Sequence, residues 1–178
     1  HLVVAFLILS LIFWNFLIIR MNNNIPNKIN PMLLLFFLIL VFLQLVIGAF
    51  VSGMDAGKIY NSWPLMGQSY FPNDNNIIDL FTLSAFSEPS LVQFIHRNLA
   101  YAIGIFYLYF FFKIYKKKFY GLYKSINILG FFIVLKIILG VLTVLYGAQI
   151  YIASMHQISS IFLVSSSIFF LYLNTSSS

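Results

Sequence analysis

The stretch that decides the fold is PSLVQFIHRNLAYAIGIFYLYFFF, residues 89–112, an apolar run interrupted by His96 and Arg97. At 1.5 Å per residue, about 20 apolar residues cross a bilayer core of about 30 Å. A membrane-spanning β-strand would alternate apolar and polar residues, whereas this run is apolar on every face. It therefore predicts a membrane-spanning α-helix.

Four further runs have the same character, near residues 1–20, 31–53, 125–147 and 150–173. Hydrophobic residues make up 61% of the chain and charged residues 8%, which excludes a water-soluble domain. The sequence predicts an all-α membrane bundle with five transmembrane helices. The first run has no basic leader and no cleavage site, and it opens on a histidine, so we expect a fragment of a longer protein.

The charges of the connections predict the orientation of these helices. Lysine and arginine concentrate in the links 20–30 and 113–124, which we expect on the inner side. The outer loop 54–89 is mainly acidic and the 147–150 turn is uncharged, so both are expected outside. The net charge of +6 then belongs to the inner boundary, and no nucleic-acid partner is expected. The absence of cysteine excludes iron–sulfur ligation and disulfide bonds in this chain.

The three histidines are the main candidates for a functional site. His96 and His156 each lie about six residues inside an outside-to-inside helix, or roughly 9 Å below the outer boundary, and His1 opens a third such helix. A buried imidazole in a membrane needs a partner. One hypothesis is that each histidine hydrogen-bonds a neighbouring helix, and the other is that the two deeper ones share a ligand.

Haem suits two facing imidazoles better than zinc does. Zinc usually takes four protein ligands, whereas haem supplies four equatorial nitrogens and needs only axial ligands. Arg97 lies on the outer side, where a guanidinium could hold a haem propionate through two hydrogen bonds. The alternatives are that Arg97 extends to the outer interface or pairs with Glu88.

A weak internal repeat relates the two ends of the chain. LQLVIGAFVSG at 43–53 and LKIILGVLTVLYG at 135–147 share an L-[QK]-x-x-x-G core, and the sequence from His1 resembles that from His156. The first helix is therefore interpreted as a copy of the fifth, with its histidine-bearing partner upstream of residue 1. The full protein is expected to have about eight helices.

Three segments together resemble the haem A synthase family over nearly the whole chain. They are GAFVSGMDAGKIYNSWPLMGQSYFP at 48–72, EPSLVQFIHRNLAY at 88–101 and LGVLTVLYGAQIYIASMHQ at 139–157. The resemblance implies two similar four-helix halves, each with a histidine pair. Residues 1–30 would be the last helix of the N-terminal half plus an inner linker, and residues 31–178 the C-terminal haem-binding half.

The resemblance also implies roles for individual residues. His96 and His156 would be the axial ligands of a haem b, and His1 would be a catalytic-site ligand of the first-half haem, without its partner here. The other expected cofactor-binding residues are Gln93, Arg97, Gln157, Asp55 and Trp63.

The activity implied by the resemblance is oxidation of a methyl group of haem O to a formyl group, giving haem A for cytochrome c oxidase. A bis-histidine iron has no open position, so reaction is assigned to the half containing His1, and this chain alone is expected to be inactive. Implied partners are haem O synthase, cytochrome oxidase assembly factors, an unidentified electron donor and a second copy of the chain. The location would be the bacterial or mitochondrial inner membrane. The alternatives are a b-type cytochrome electron-transfer subunit, a transporter or a structural assembly factor.

Two features of the sequence leave further alternatives open. Lys136 stands where glutamine is expected from the repeat, near the bilayer midpoint, so it would be neutral, extend to the interface or have an anionic partner. The aromatic residues of the outer loop suit either an interfacial belt or a cover over the haem edge. Those residues are Tyr60, Trp63, Tyr70 and Phe71; Asp55, Lys58 and Asn61 would join Trp63 near the propionates. At the end of the loop, Ser87 is the candidate cap of the third helix and Pro89 its first residue.

Overall fold

The protein is an all-α membrane bundle, as the sequence predicts. The computed structural model describes residues 1–21 and 29–175. Within those ranges the long α-helices are α1 (Leu2–Arg20), α2 (Pro31–Gly53), α3 (Pro89–Lys116), α4 (Tyr123–Leu145) and α5 (Ile150–Thr175). All five are long and apolar enough to cross a membrane, and the described residues form no β-strand. The chain is therefore an integral membrane protein. Lys28 and most of the inner link 20–30 lie outside the described residues.

The helix boundaries follow local chemistry, with two differences from the prediction. Pro89 begins α3 as expected, but the predicted cap is wrong: Ser87 donates its hydroxyl to the carbonyl of Ser84 at 3.1 Å, and Glu88 precedes the helix without a side-chain cap. The helix also continues beyond residue 112, through Lys113 and Lys116 in its last turn. Cations at a helix C-terminus interact favourably with the helix dipole, so these lysines extend α3 instead of starting a loop.

Four of the helices form a closed ring. In the described part of the chain, α2 packs on α3, α3 on α4, α4 on α5, and α5 on α2, whereas the backbones of α3 and α5 make almost no close approach. These two helices therefore lie diagonally opposite each other in the ring. Each carries a half-buried histidine, His96 on α3 and His156 on α5. Three buried phenylalanines fill the core at the inner level, with Phe110 in edge contact with Phe37 at 5.6 Å and with Phe170 at 5.8 Å.

The first helix lies outside this ring, against α5 and α2. At its inner end the Trp14 indole meets the Tyr172 ring edge-on at 5.5 Å, and the Tyr172 hydroxyl donates to the carbonyl of Met21 at 2.6 Å. The Asn174 amide then bonds both backbone groups of Ile29, at 3.0 and 2.8 Å. These contacts fix α1 parallel to α5, so that His1 lies at the outer end.

Candidate functional site

The imidazole of His96 is held by the neighbouring helix α2. The Gln44 amide nitrogen lies 3.2 Å from His96 Nε2 and donates to the His96 carbonyl at 3.1 Å. One turn further along α2, a Cβ on Gly48 would lie 3.2 Å from His96 Cε1, so only glycine leaves the ring its full space. Gln44 and Gly48, acting together on His96, are called here the first histidine clamp.

The imidazole of His156 is held in the same way by α4. Lys136 Nζ lies 3.2 Å from His156 Nε2 and donates to the His156 carbonyl at 2.8 Å. A Cβ on Gly140 would lie 3.1 Å from His156 Cε1. Lys136 and Gly140 form the second histidine clamp. Lys136 also bonds the Ser160 hydroxyl at 2.8 Å, a contact without a counterpart in the first clamp among the described residues.

The two clamps explain the repeated L-[QK]-x-x-x-G core. Residues four apart lie on one face of a helix, so the polar side chain and the glycine of each core meet the same imidazole. The repeat was visible in the sequence, but its contact with the histidines was not. The three partners of Lys136 are an imidazole, a carbonyl and a hydroxyl, so its side chain turns into the bundle and its partners are uncharged.

The helix bounds place the two histidines at matched depth. His96 follows Pro89, the first residue of α3, by about 10 Å, and His156 follows Ile150, the first residue of α5, by about 9 Å. Because α3 and α5 are diagonal, the two clamps flank the centre of the ring from opposite sides.

Each imidazole has one bonded nitrogen and one without a partner. Nε2 meets the donor of the clamp, whereas Nδ1 of both His96 and His156 lies toward the clamp glycine, is buried and has no hydrogen-bond partner. Gln44 and Lys136 meet the rings through hydrogen-bond donors, so Nε2 accepts and Nδ1 carries the ring proton. A histidine that ligates a metal instead donates its second ring N–H, so each imidazole would have to turn away from its clamp donor to bind one. The described residues contain no cluster of three or more histidine, cysteine, aspartate or glutamate side chains that could hold a metal ion. A group that brings its own equatorial ligands, such as haem, fits this donor set, and a closed zinc site does not.

Arg97 and Gln93 lie beneath the outer loop and hold it by its backbone. Arg97 is 9% exposed and donates to the carbonyl of Leu65 at 3.2 Å and to that of Tyr60 at 3.1 Å. The buried Gln93 amide donates to the same Tyr60 carbonyl at 3.1 Å. Arg97 Nε is buried without a partner. The described residues show neither an Arg97–Glu88 ion pair nor an extension of Arg97 to solvent, so both alternatives are excluded here.

The first half of the outer loop covers the outer ends of two ring helices. The Trp63 indole donates to the Tyr101 hydroxyl on α3 at 3.0 Å, and the Phe71 ring meets Phe94 edge-on at 5.1 Å. On the α4 side, the Asn61 amide donates to the carbonyl of Val144 at 2.9 Å. Trp63 is 45% exposed, so it has both a partner on the helix and a free face. These contacts favour a loop that covers the outer ends of the helices. They do not suit a loop whose aromatic residues only line the membrane interface.

A tyrosine–aspartate pair stabilises the loop internally. The Tyr60 hydroxyl donates to the Asp74 carboxylate at 2.9 Å. Burial acts to raise the pKa of Asp74, but hydrogen bonds from Ser90 and Tyr60 outweigh it and hold that pKa below its ordinary value. Burial and the contact with Asp74 raise the pKa of Tyr60. The pair is therefore a charge-assisted hydrogen bond at neutral pH.

Three other predicted site residues are not brought to the histidines. Asp55 is exposed and forms an ion pair with Lys58 at 2.8 Å. Gln157 is exposed on α5, and His1 is exposed at the start of α1. The side chains of Gln157 and His1 have no hydrogen-bond partner among the described residues. A site role for these three stays a prediction.

Known proteins resemble this chain over almost its whole length. A family model described as Cytochrome oxidase assembly protein matches residues 1–168. A Heme A synthase of Pelagibacter ubique is 45% identical over 175 residues, which cover 98% of this chain and 52% of that protein. A Heme A synthase of Flavobacterium johnsoniae is 36% identical over 174 residues, covering 93% of this chain and 50% of that protein.

The chain spans about half the length of the curated relatives it matches. No solved structure matches it. The family match nevertheless covers all five helices and both histidine clamps, up to residue 168 in α5. The chain belongs to the cytochrome oxidase assembly protein family.

Proposed function

We propose that this chain contains the C-terminal haem-binding half of a haem A synthase, in which His96 and His156 would hold one haem b. The observation that carries the proposal is the pair of half-buried imidazoles at matched depth on diagonal helices. The similarity to proteins named Heme A synthase supports haem A synthesis as the function. The reaction we propose is oxidation of a haem O methyl group to the formyl group of haem A. Residues 31–178 would form this half, and residues 1–30 would belong to the other.

A haem held by two imidazoles supplies electron transfer when bound, because its iron has no open position. The chain's own residues bind and orient it. Gln44 and Lys136 hold the two histidine-bearing helices by their backbone, and Gly48 and Gly140 leave room for the rings. The loop above Arg97 limits access of water from the outer side, and Arg97 Nε is the donor available to a propionate.

The experiment is a haem titration of the purified chain in lipid nanodiscs, followed by absorbance. We expect one haem per chain with the spectrum of a six-coordinate, low-spin iron. His96→Ala and His156→Ala should each lose the haem or convert it to high spin. His1→Ala is the matched control, since His1 is exposed at the helix start and should leave the spectrum as it is. Unchanged spectra in both clamp variants would overturn the ligand assignment.

A second measurement concerns the division of labour between the halves. Because the bis-histidine site leaves no open iron position, the chain of residues 1–178 should not convert haem O to haem A when given a reductant and oxygen. In the full-length protein, His1→Ala should abolish turnover and leave the His96/His156 haem bound. Haem A formation by residues 1–178 would refute the assignment of the reaction to the half that contains His1.

A further inference from the structure

The two histidine clamps differ in one respect that bears on how the haem ligands are held. Among the described residues, both hydrogen bonds of the Gln44 side chain go to a single residue, His96. Lys136 bonds His156 twice and Ser160 once, so it reaches one turn further along α5. Ser160 is 3% exposed and Lys136 is half-buried.

The bonds to the main chain are the part of each clamp that ligation does not disturb. If a ring nitrogen turns to a metal, the bond from the clamp to that ring can change. The bond from Gln44 to the His96 carbonyl and those from Lys136 to the His156 carbonyl and Ser160 remain possible. Each clamp residue thus has an anchor on the helix backbone that is independent of the imidazole. An anchored donor holds the histidine helix against its neighbour and so limits the positions that the imidazole on that helix can take.

We infer that Gln44 and Lys136 are positioning residues for the two axial histidines, and that the Lys136–Ser160 pair makes His156 the more firmly held ligand. The inference rests on the proposed haem site and names the residues that orient its ligands. Lysine in place of the glutamine of the repeat is then a functional feature, because its longer stem reaches two acceptors on α5 at once. Glutamine at 136 could bond the carbonyl but has a shorter reach toward Ser160.

The test is the rate at which the haem-loaded chain gives up its haem to excess apomyoglobin, together with the electron paramagnetic resonance spectrum of the ferric state. Lys136→Met keeps an unbranched side chain, one heavy atom shorter, and removes its donors. Loss of such outer-shell partners typically costs 10–100-fold in affinity, so we expect at least about tenfold faster release. Lys136→Gln should restore release to within about threefold of wild type, because it recreates the first clamp. Both variants should shift the low-spin resonance.

The chain offers a control in the same helix. Thr143 donates its hydroxyl to the carbonyl of Leu139, within α4, so Thr143→Val removes a half-buried polar group without touching His156. It should release haem at the wild-type rate. Ser160→Ala provides a milder version of the test if Lys136→Met does not fold, and it should accelerate release by a few-fold through the loss of one hydrogen bond.

The outcomes separate this inference from the proposed function. If the wild-type chain binds no haem, or if His156→Ala leaves its spectrum unchanged, the proposed function fails. If His156→Ala destroys the low-spin spectrum but Lys136→Met and Ser160→Ala leave release and resonance as in wild type, the haem site stands and the positioning role is refuted. Equal effects of Lys136→Met and Thr143→Val would also refute it, because any half-buried polar group of α4 would then matter as much.

Discussion

The strongest test of the site geometry is the substitution Gly140→Ala, which adds a single methyl group opposite His156. The added Cβ would lie 3.1 Å from Cε1 and 3.6 Å from Nδ1 of the imidazole. Carbon atoms in contact prefer about 3.5–4.0 Å, so the ring or the α4–α5 separation must give by about 0.5 Å. Overpacking of this kind costs about 1–3 kcal/mol. The better helix propensity of alanine offsets about 0.5–1 kcal/mol of that cost.

The displaced ring is the proposed haem ligand, so the strain should appear in haem binding. A net cost near 1.4 kcal/mol corresponds to about a tenfold loss of affinity. We therefore expect haem release to apomyoglobin to be about tenfold faster, with some of the low-spin spectrum converted to high spin. The matched control is Gly104→Ala in α3, where an added Cβ meets nothing within 4 Å. That variant should bind haem as the wild type does and be equally or more heat-stable.

Two results would refute this reasoning. If Gly140→Ala released haem at the wild-type rate, the glycine would not be needed for the ring. If Gly104→Ala were as harmful as Gly140→Ala, the effect would come from glycine in a membrane helix in general and not from the clamp.

Three further predictions use the same chain. Gly48→Ala should loosen the His96 ligand as Gly140→Ala loosens the other, because its Cβ would lie 3.2 Å from the ring; an unchanged low-spin spectrum would contradict this. Arg97→Ala should remove the donors to the Leu65 and Tyr60 carbonyls and make the outer loop at least several-fold more sensitive to protease. A loop as resistant as in wild type would show that Arg97 does not hold it. The pKa of Asp74 lies below its ordinary value of 3.8, so its contribution to loop stability is present above pH 3.8 and is lost as pH falls through the lower folded-state pKa. Hydrogen exchange of the loop should rise over that acid range, and Asp74→Asn should abolish the pH step.

Much of this protein is determined by its sequence because the bilayer is an unusually simple solvent. The five apolar runs predicted the five helices, and the proline at position 89 predicted where α3 begins. Once the starts of α3 and α5 are known, the matched depth of His96 and His156 follows from the rise per residue. The joint motifs around both histidines identified the family, which the match over residues 1–168 confirms.

What the sequence did not determine is which side chains meet. Helices that are apolar on every face carry no periodic pattern that tells which face turns toward a neighbour. Gln44 and His96 lie on different helices, as do Lys136 and His156, so their contacts depend on helix rotation and on the order of helices around the ring. The direction of Arg97, toward the backbone of the outer loop, likewise required the folded loop. The tertiary structure therefore decided the two histidine clamps, because only packing fixes the rotation of a uniformly apolar helix.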